Sequence, residues 1–475
     1  TLRRKSGTPA RRKTAKSGRP TLKNFKLYHY RYGSRLDAHS ESRQDRSLSD
    51  CLATLSKGND SMLARVLLAL VFLVLASTHA LAQNNNWPQH LGPARNGIST
   101  EKGLLEAWPV GGPKEVWRVK GGVGMSGLAI SGGRLYTLAQ REGQQGVVAH
   151  DAATGAAIWR TAVAPAYENQ MGDGPRATPT VAGNTVFAFT GEGILVALSA
   201  PDGRILWSHN TVKELGGQPA EYGMACSPLV VGTQVIVTVG APNATVVAYD
   251  TVSGKLTWTT GNETTGYSSP ALLTVGGREQ IVVHSGSAVL GIEPNSGALL
   301  WVHPYVTDYS CNIATPIAVE GKVFVSSGEN HGCALLALEP SGNLFTVREV
   351  WSSQGPRSVL RNEWQTSILL EGHLYGMDNV GGAGPITHLT CVNAATGESV
   401  WQESRFGKGN LIAADGKLFM STLKGELIIA RVSPNGYEEL GRSTVIGSTR
   451  QAPALANGLL YLRDNDDIAC FDVHK

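Results

Sequence analysis

The sequence predicts an all-β fold, an eight-bladed β-propeller built from four-stranded antiparallel blades. Three observations predict it: a turn glycine followed four residues later by tryptophan, a recurring hydroxyl-proline pair, and a period of 39 to 51 residues between successive tryptophan positions, which is typical of propeller blades. Five copies carry the glycine and the tryptophan at the same spacing: Gly155 with Trp159, Gly203 with Trp207, Gly254 with Trp258, Gly297 with Trp301, and Gly397 with Trp401.

Each copy predicts the outer half of one blade. Two short apolar runs flank a tight turn in which glycine takes a positive φ and a neighbouring Asp, Ser or Thr bonds the turn backbone. Runs such as 185–189 and 322–326 supply the middle strands. Proline cannot donate to a β-ladder, so the proline pairs predict the innermost strands, whose free edge faces a channel. These pairs are Thr178-Pro179, Ser227-Pro228, Ser269-Pro270, Thr315-Pro316 and Ala452-Pro453.

The blade count comes from the tryptophan positions 117, 159, 207, 258, 301, 351 and 401, with Leu440 in place of the eighth. Three strands are predicted after Leu440, at about 452–455, 459–463 and 468–472, but only one before Trp117, at 114–117. One strand from the beginning and three from the end complete a blade. We therefore expect the two ends of residues 113–475 to close the ring together.

The first 82 residues differ in composition from the rest. Residues 1–61 hold 15 Lys+Arg against 5 Asp+Glu and few large apolar side chains, which indicates a disordered basic segment and, we expect, spurious upstream translation. Residues 62–82 have the pattern of a secretory signal peptide: Met62, an apolar run at 66–76, and Ala80-Leu81-Ala82. The run is too short to span a bilayer, which needs about 20 residues. The sequence thus predicts a periplasmic or secreted protein with no transmembrane segment in the mature chain.

Charge and cysteine usage narrow the function classes. Residues 83–475 hold 26 Lys+Arg and 33 Asp+Glu, so the mature chain is acidic and nucleic acid is not expected as a partner. No metal-ligand spacing is present, and we expect no metal site. Cys311 and Cys333 could meet within their blade as a disulfide, or both could be small buried apolar residues.

The repeat Ala-x-Asp-x-x-Thr-Gly-x-x-x-Trp resembles the PQQ-like β-propeller repeat over residues 113–475. Quinoprotein alcohol dehydrogenases and the non-enzymatic outer-membrane assembly propeller BamB share that repeat. Within the N-terminal segment 83–112, residues 87–97 resemble the opening motif of secreted bacterial PQQ-like proteins. The resemblance implies structural roles at the blade interfaces for the repeat glycines and tryptophans. These are Trp117, Gly155, Trp159, Gly203, Trp207, Gly254, Trp258, Gly297, Trp301, Trp351, Gly397 and Trp401.

A candidate site is expected at one mouth of the channel, because the residues just before the innermost strands converge there. They form a polar set that could hold a small anionic ligand or a saccharide by bidentate and stacking contacts. An ordinary water-filled channel would show the same polarity. The proposed ligand-binding residues are Arg176, Tyr222, Asn312, Asn362, Trp364, Lys408 and Arg450, and the weak candidates for a catalytic role are Asp173 and Glu363.

Two functions are open at this stage. The favoured one is a non-catalytic binding or scaffolding module of the cell envelope, with an envelope protein or a small molecule or saccharide at the channel mouth. The alternative is a quinoprotein-type dehydrogenase that oxidises an alcohol or a sugar with PQQ and calcium. Asp173 or Glu363 would then be the base, and Arg176, Lys408 or Arg450 would neutralise the quinone oxygens. The resemblance does not favour PQQ, since no two cysteines are adjacent.

Overall fold

In the computed structural model, which describes residues 85–382 and 384–475, eight four-stranded antiparallel sheets are arranged around a channel. The eight blades and the all-β class are those predicted from the sequence. The segments 1–61 and 62–82 lie outside the described residues, so the predicted signal peptide is not among them.

Blades 1 to 4 each run from the channel outward in chain order. Blade 1 comprises Ala129–Ser131, Arg134–Arg141, Gln144–Asp151 and Ala157–Pro165. Blade 2 comprises Thr180–Ala182, Thr185–Phe189, Ile194–Ser199 and Ile205–Asn210, followed by the short helix Thr211–Glu214. Blade 3 comprises Leu229–Val231, Gln234–Ala241, Ala244–Asp250 and Leu256–Thr260. Blade 4 comprises Ala271–Val275, Arg278–His284, Ala288–Ile292 and Leu299–Pro304, followed by the 3-10 turn Asp308–Ser310.

The remaining blades keep this order, except that the outer strand of blade 8 comes from the N-terminal side. Blade 5 comprises Ile317–Val319, Lys322–Ser327, Gly332–Ser341 and Leu344–Gln354, followed by the 3-10 turn Gly355–Arg357. Blade 6 comprises Ile368–Leu370, His373–Val380, Ile386–Asn393 and Ser399–Glu403. Blade 7 comprises Gly409–Ala414, Lys417–Thr422, Glu426–Arg431 and Glu439–Thr444. Blade 8 comprises Ala454–Ala456, Leu459–Arg463, Asp467–Asp472 and Lys114–Lys120.

The ring closes in blade 8. Lys114–Lys120 pairs antiparallel with Asp467–Asp472, and Arg118 lies opposite Ala469. This arrangement confirms the predicted closure by one early strand and three late ones. Because the two middle strands of each blade are covered by neighbouring blades on both faces, their side chains are almost all buried, whereas the outer strands are largely exposed.

The repeat glycine and tryptophan meet between blades, not within one blade. The turn glycine of one blade lies on the indole of the preceding blade, at φ between +69° and +76°. A Cβ on these glycines would come within 2.5–2.8 Å of the indole, closer than real Cβ contacts. The pairs are Trp117 with Gly155, Trp159 with Gly203, Trp207 with Gly254, Trp258 with Gly297, and Trp351 with Gly397.

The indole also donates a hydrogen bond to the same turn. Trp117 Nε1 donates to Ala152 O at 2.9 Å, and Trp159 Nε1 donates to Ala200 O at 3.0 Å, in each case to the carbonyl three residues before the turn glycine. A buried indole N–H needs such an acceptor. The Gly-x-x-x-Trp spacing therefore serves two interfaces at once, with the glycine receiving one indole and the tryptophan supplying the next.

Blade 7 lacks a tryptophan at position 440, and the N-terminal segment supplies one. Trp108 packs beside Phe419 with ring centroids 5.9 Å apart, the same separation as Tyr136 and Trp159 in blade 1. Its Nε1 donates to Leu427 O at 3.1 Å. Trp108 thus occupies the place that Leu440 leaves unfilled.

The geometry of the blade interface predicts that two glycine substitutions in blade 2 lower the free energy of unfolding by different amounts. Gly203 and Gly183 both have positive φ, at +74° and +55°, but only Gly203 faces an indole, and nothing lies within 4 Å of a Cβ on Gly183. We expect Gly183→Ala to lower the free energy of unfolding by about 1–2 kcal/mol. Gly203→Ala should cost a further 1–3 kcal/mol or so, because the added methyl overpacks the interface. Urea denaturation measures both, and equal losses would contradict the interface argument.

Candidate functional site

One end of the channel is crossed by the chain's own N-terminal segment. Trp87 forms an antiparallel bridge with Ile130 of blade 1, with N–H to O distances of 2.8 and 2.9 Å. In blade 7, which is separated from blade 1 by blade 8 alone, the N–H of Ala413 donates to Gly97 O at 2.8 Å. Residues 87–97, the predicted opening motif, contact blades 1, 3, 5 and 7 and form a plug at the base of the channel.

Two side chains, the buried Arg95 and the partly buried His90, fix this plug. The Arg95 guanidinium is 4% exposed and donates to Ser227 O at 2.8 Å and Pro228 O at 2.7 Å in blade 3. Burial lowers the pKa of Arg95 to about 10. His90 lies 3.5 Å from the Thr315 hydroxyl of blade 5, and burial, together with the positive charge of Arg95, lowers its pKa to about 3. His90 is therefore a neutral ring at physiological pH.

Above the plug lies a cavity of about 640 Å³, which we term the mouth cavity. Its floor is formed by the plug, and its walls come from the residues that lead into the innermost strands and from the loops at that end. The floor and lower lining include Trp87, His90, Leu91, Thr178, Ser227, Ser269 and Thr366, and the upper lining includes Met125, Met171, Arg176, Tyr222, Tyr267, Tyr309, Cys311, Glu329, Glu363, Trp364, Lys408, Asn410 and Arg450.

Hydroxyl side chains near the start of the innermost strands accept backbone amides from neighbouring blades at the cavity wall. Thr178 N donates to Ser227 Oγ at 3.0 Å, and Ser227 N donates to Ser269 Oγ at 2.9 Å. Thr315 N donates to Thr366 Oγ1 at 2.9 Å in the same way. Ser227 and Ser269 each precede a proline, and their oxygens accept the amide of the preceding blade. Thr366, which precedes a serine, has the same role in blade 6. The proline after Ser227 and after Ser269 leaves no N–H on the channel side.

A charged and aromatic cluster forms one wall of the mouth cavity. Lys408 Nζ lies 2.6 and 2.8 Å from the two carboxylate oxygens of Glu363. The same Nζ lies 4.4 Å from the ring centroid of Trp364, and the Arg450 guanidinium carbon lies 4.7 Å from it. Burial raises the pKa of Glu363, and the bonded Lys408 opposes that rise. Lys408, Glu363, Trp364 and Arg450 are thus brought together as the sequence predicted.

Arg176 lines the cavity but is held by backbone carbonyls. It donates to Tyr222 O and Gly172 O, each at 2.7 Å, and to Gly174 O, while its guanidinium carbon lies 4.6 Å from the Tyr167 ring centroid. Burial lowers its pKa. Arg176 therefore orders the two loops that it joins, and its donors are engaged within the protein.

Three predicted site residues lie outside the lining of the mouth cavity. The buried amide of Asn312 donates to Ser285 O at 2.7 Å, and that of Asn362 donates to Met377 O at 3.1 Å. Both satisfy backbone carbonyls near their own strand entrances. The exposed Asp173 accepts the N–H of Asn169 within its own loop at 3.0 Å. A residue that directly precedes an innermost strand lies near the mouth, but its place in the chain does not determine whether its side chain faces the cavity.

The sequence did not predict that residues 87–97 form the floor of the mouth cavity, nor that two loops at the mouth have a strained backbone. Tyr309 and Ser310 have φ of +55° and +54°, and Glu329 and Asn330 have φ of +50° and +56°. Consecutive non-glycine residues in this region are costly and mark sites where structure overrides local preference. The loop sequence 328–332, Gly-Glu-Asn-His-Gly, is the one local signal that could have indicated such a turn.

The five cysteines within residues 85–382 and 384–475 are unpaired. Cys311 is half-buried in the cavity wall, and Cys333 is fully buried in blade 5. Burial raises the pKa of both thiols to about 12. Both are therefore protonated free thiols; Cys333 fits the alternative of a small buried residue, whereas Cys311 is only half-buried.

The family model described as outer membrane protein assembly factor BamB matches residues 111–216 and 143–403. The chain belongs to this BamB family of PQQ-like β-propellers. BamB of Yersinia pestis is 21% identical over 298 residues, covering 60% of this chain and 71% of that protein. BamB of Salmonella typhimurium is 22% identical over 301 residues, covering 61% and 71%.

Solved structures share the fold of this BamB family member. A quinohemoprotein alcohol dehydrogenase from Comamonas testosteroni superposes with a TM-score of 0.62 at 14% identity, covering 84% of this chain and 82% of that one. BamB from Moraxella catarrhalis superposes with a TM-score of 0.54 at 15% identity, covering 76% and 99%. At these identities the likeness concerns the fold alone.

The residues present do not fit a calcium-assisted quinone site. Glu363 is bonded to Lys408, Asp173 lies outside the cavity lining, and the donors of Arg176 are bonded to carbonyls. Among residues 85–382 and 384–475, no group of three or more His, Cys, Asp or Glu side chains could hold a metal ion. The roles assigned to these residues in the dehydrogenase alternative therefore gain no support from their contacts.

The plug predicts a pH dependence of stability. Unfolding restores the ordinary pKa of His90, so the unfolded chain binds a proton that the folded chain excludes between about pH 6.5 and pH 3. Stability is therefore lost as the pH falls through that window. Between pH 7 and pH 5, His90 should account for about 2 kcal/mol of the loss.

Chemical denaturation of His90→Gln at the two pH values measures this contribution. Between pH 7 and pH 5, the free energy of unfolding of this variant should fall by about 2 kcal/mol less than that of the wild type. His373→Gln, at the start of the second strand of blade 6, is the matched control and should keep the wild-type pH dependence. An unchanged slope in His90→Gln would contradict the assignment.

Proposed function

We propose that this propeller is a non-catalytic scaffold of the bacterial cell envelope that binds a protein partner through the rim of the mouth cavity. The observation that carries the proposal is the asymmetry of the channel: the plug closes one end, and strained loops with exposed apolar side chains surround the other. The relatives named outer membrane protein assembly factors support an envelope role.

The rim has the composition of a binding surface. Val306 and Tyr309 are each 65% exposed, and Met171 and Val123 are also exposed at this end. Aromatic and methionine side chains are enriched at protein interfaces. A partner that covers this rim would bury apolar surface that the isolated chain leaves in water.

The proposed location is the periplasmic side of the envelope, with residues 62–82 acting as a cleaved signal peptide. Among the described residues, none of the helices is long and apolar enough to cross a membrane. The fraction that contains the mature protein, and its N-terminal sequence, would test this part of the proposal directly.

A photo-cross-linking experiment tests the binding surface. A photoreactive phenylalanine analogue replaces Tyr309 at the rim or, as a matched control, Val252, an 84%-exposed residue in a turn between the two outer strands of blade 3. We expect a discrete adduct with an outer-membrane assembly protein from position 309 and none from position 252 in the protein's own host cells.

A second pair of variants tests the same surface by loss of binding. The double variant Val306→Ser, Tyr309→Ser should reduce recovery of the partner at least tenfold, because two exposed anchors are removed, whereas Val252→Ser should not change it. Adducts that form only at position 252, or recovery that is unaffected by the rim variants, would overturn the proposal.

The dehydrogenase alternative predicts a different result. PQQ is titrated into the purified chain with and without Ca²⁺, and binding is followed by the quinone absorbance. We expect no saturable binding at high micromolar PQQ, because two of the three predicted quinone partners, Arg176 and Lys408, are engaged within the protein. A saturable spectral shift, together with dye reduction in the presence of an alcohol or sugar, would replace the scaffold proposal with an enzyme.

A further inference from the structure

We propose that the mouth cavity binds a single carboxylate group through Arg450, with the apolar body of the ligand against Trp364. The inference deepens the proposed function and rests on it in one respect, that this propeller binds its ligands at the open mouth. It assigns the chemistry that the cavity recognises.

Arg450 is held in position with one side of its guanidinium left available. Its Nη1 donates to Met171 O at 2.8 Å and lies 3.4 Å from Met125 Sδ, while its backbone carbonyl accepts from Asn410 Nδ2 at 2.8 Å. Within the described parts of the chain, Nε and Nη2 donate to no protein acceptor. A guanidinium edge with two parallel N–H donors is the geometry that a carboxylate binds in bidentate fashion.

The charges around the cavity leave a net positive charge. Its lining holds three cations, Arg176, Lys408 and Arg450, against two carboxylates, Glu329 and Glu363. Lys408 and Glu363 neutralise each other at 2.6 Å, so the charge of Arg450 is not balanced by a direct ion pair. One added carboxylate would balance the lining.

The same charges limit the ligand to one anionic group at this position. Glu329 and Glu363 both line the cavity, and further negative charges on the ligand would be repelled by them. A compound that carries several carboxylates on one ring system is therefore disfavoured, and a polyanion more so.

The remaining walls suit an aromatic or aliphatic body. Trp364 lies beside Arg450, and Tyr222 and Tyr267 stack with ring centroids 5.8 Å apart on the lining. Deeper in the cavity, Ser227 Oγ and Ser269 Oγ accept backbone amides, so their protons are available to a polar atom of the ligand. A volume of about 640 Å³ lies within the usual range for small-molecule pockets.

Two sources could supply this chemistry: a free organic acid and the C-terminal carboxylate of a peptide. Isothermal titration calorimetry distinguishes them with N-acetylphenylalanine and with an acetylated hexapeptide that ends in phenylalanine, each compared with its C-terminal amide. We expect at least one of the two acids to bind with Kd below about 1 mM and its amide to bind at least tenfold more weakly. Tighter binding of the peptide would identify a chain end as the source, and tighter binding of the small acid would identify a metabolite.

Substitutions at Arg450 test whether this side chain binds the carboxylate. Arg450→Gln should weaken binding of the acid at least tenfold. Arg450→Lys keeps the positive charge but lacks the two parallel N–H donors of the guanidinium, and it should bind the acid with intermediate affinity. The matched control is Arg357→Gln, an exposed arginine in the 3-10 turn Gly355–Arg357 away from the cavity lining. It should bind as the wild type does, and unchanged circular dichroism and Tm confirm that the variants are folded.

The inference and the proposed function fail in different ways. Absence of binding by either acid up to 10 mM or so, equal binding of acid and amide, or wild-type affinity in folded Arg450→Gln would overturn the carboxylate site. Cross-linking at position 309 would be unaffected by any of these results. Loss of that cross-link with retained carboxylate binding would instead overturn the protein-scaffold proposal.

Discussion

The indole of one blade lies on the turn glycine of the next, and the ring geometry depends on this contact. The glycine must have no side chain, since a Cβ would come within 2.8 Å of the indole, and the indole N–H must reach a carbonyl in the same turn. Repeated between most blades, the contact sets their spacing. The innermost strands, the amide-to-hydroxyl hydrogen bonds between them and the width of the mouth cavity follow from that spacing.

The sequence predicted the parts of the fold that repeat. Blade number, closure through Lys114–Lys120 and the middle strands could be predicted because glycine, tryptophan and proline have strong local conformational demands. The role of Trp108 could not be predicted, because a substitute for position 440 that comes from more than 300 residues away leaves no periodic signal. The contact becomes evident only when the ring is closed.

The candidate site was predicted less completely for a related reason. Lys408, Glu363, Trp364 and Arg450 converge because their places relative to the innermost strands are equivalent. Asn312 and Asn362 occupy similar places, but their amides bond nearby carbonyls. Whether a polar side chain faces the channel depends on which backbone groups the local loop leaves unsatisfied, and that balance is a property of the loop conformation. Glu329 reaches the lining from just such a loop.

The N-terminal segment makes three contacts of very long sequence separation: the plug under blades 3 and 7, Trp108 on blade 7, and the outer strand of blade 8. A chain that is synthesised N-terminus first presents this segment long before its partners exist. Most blades consist of strands that are contiguous in the chain and can pair as soon as they are made, but the ring cannot close until residues 467–472 have been made. Assembly should therefore end in a slow, non-local step, before which the strand Lys114–Lys120 lacks its partner in blade 8.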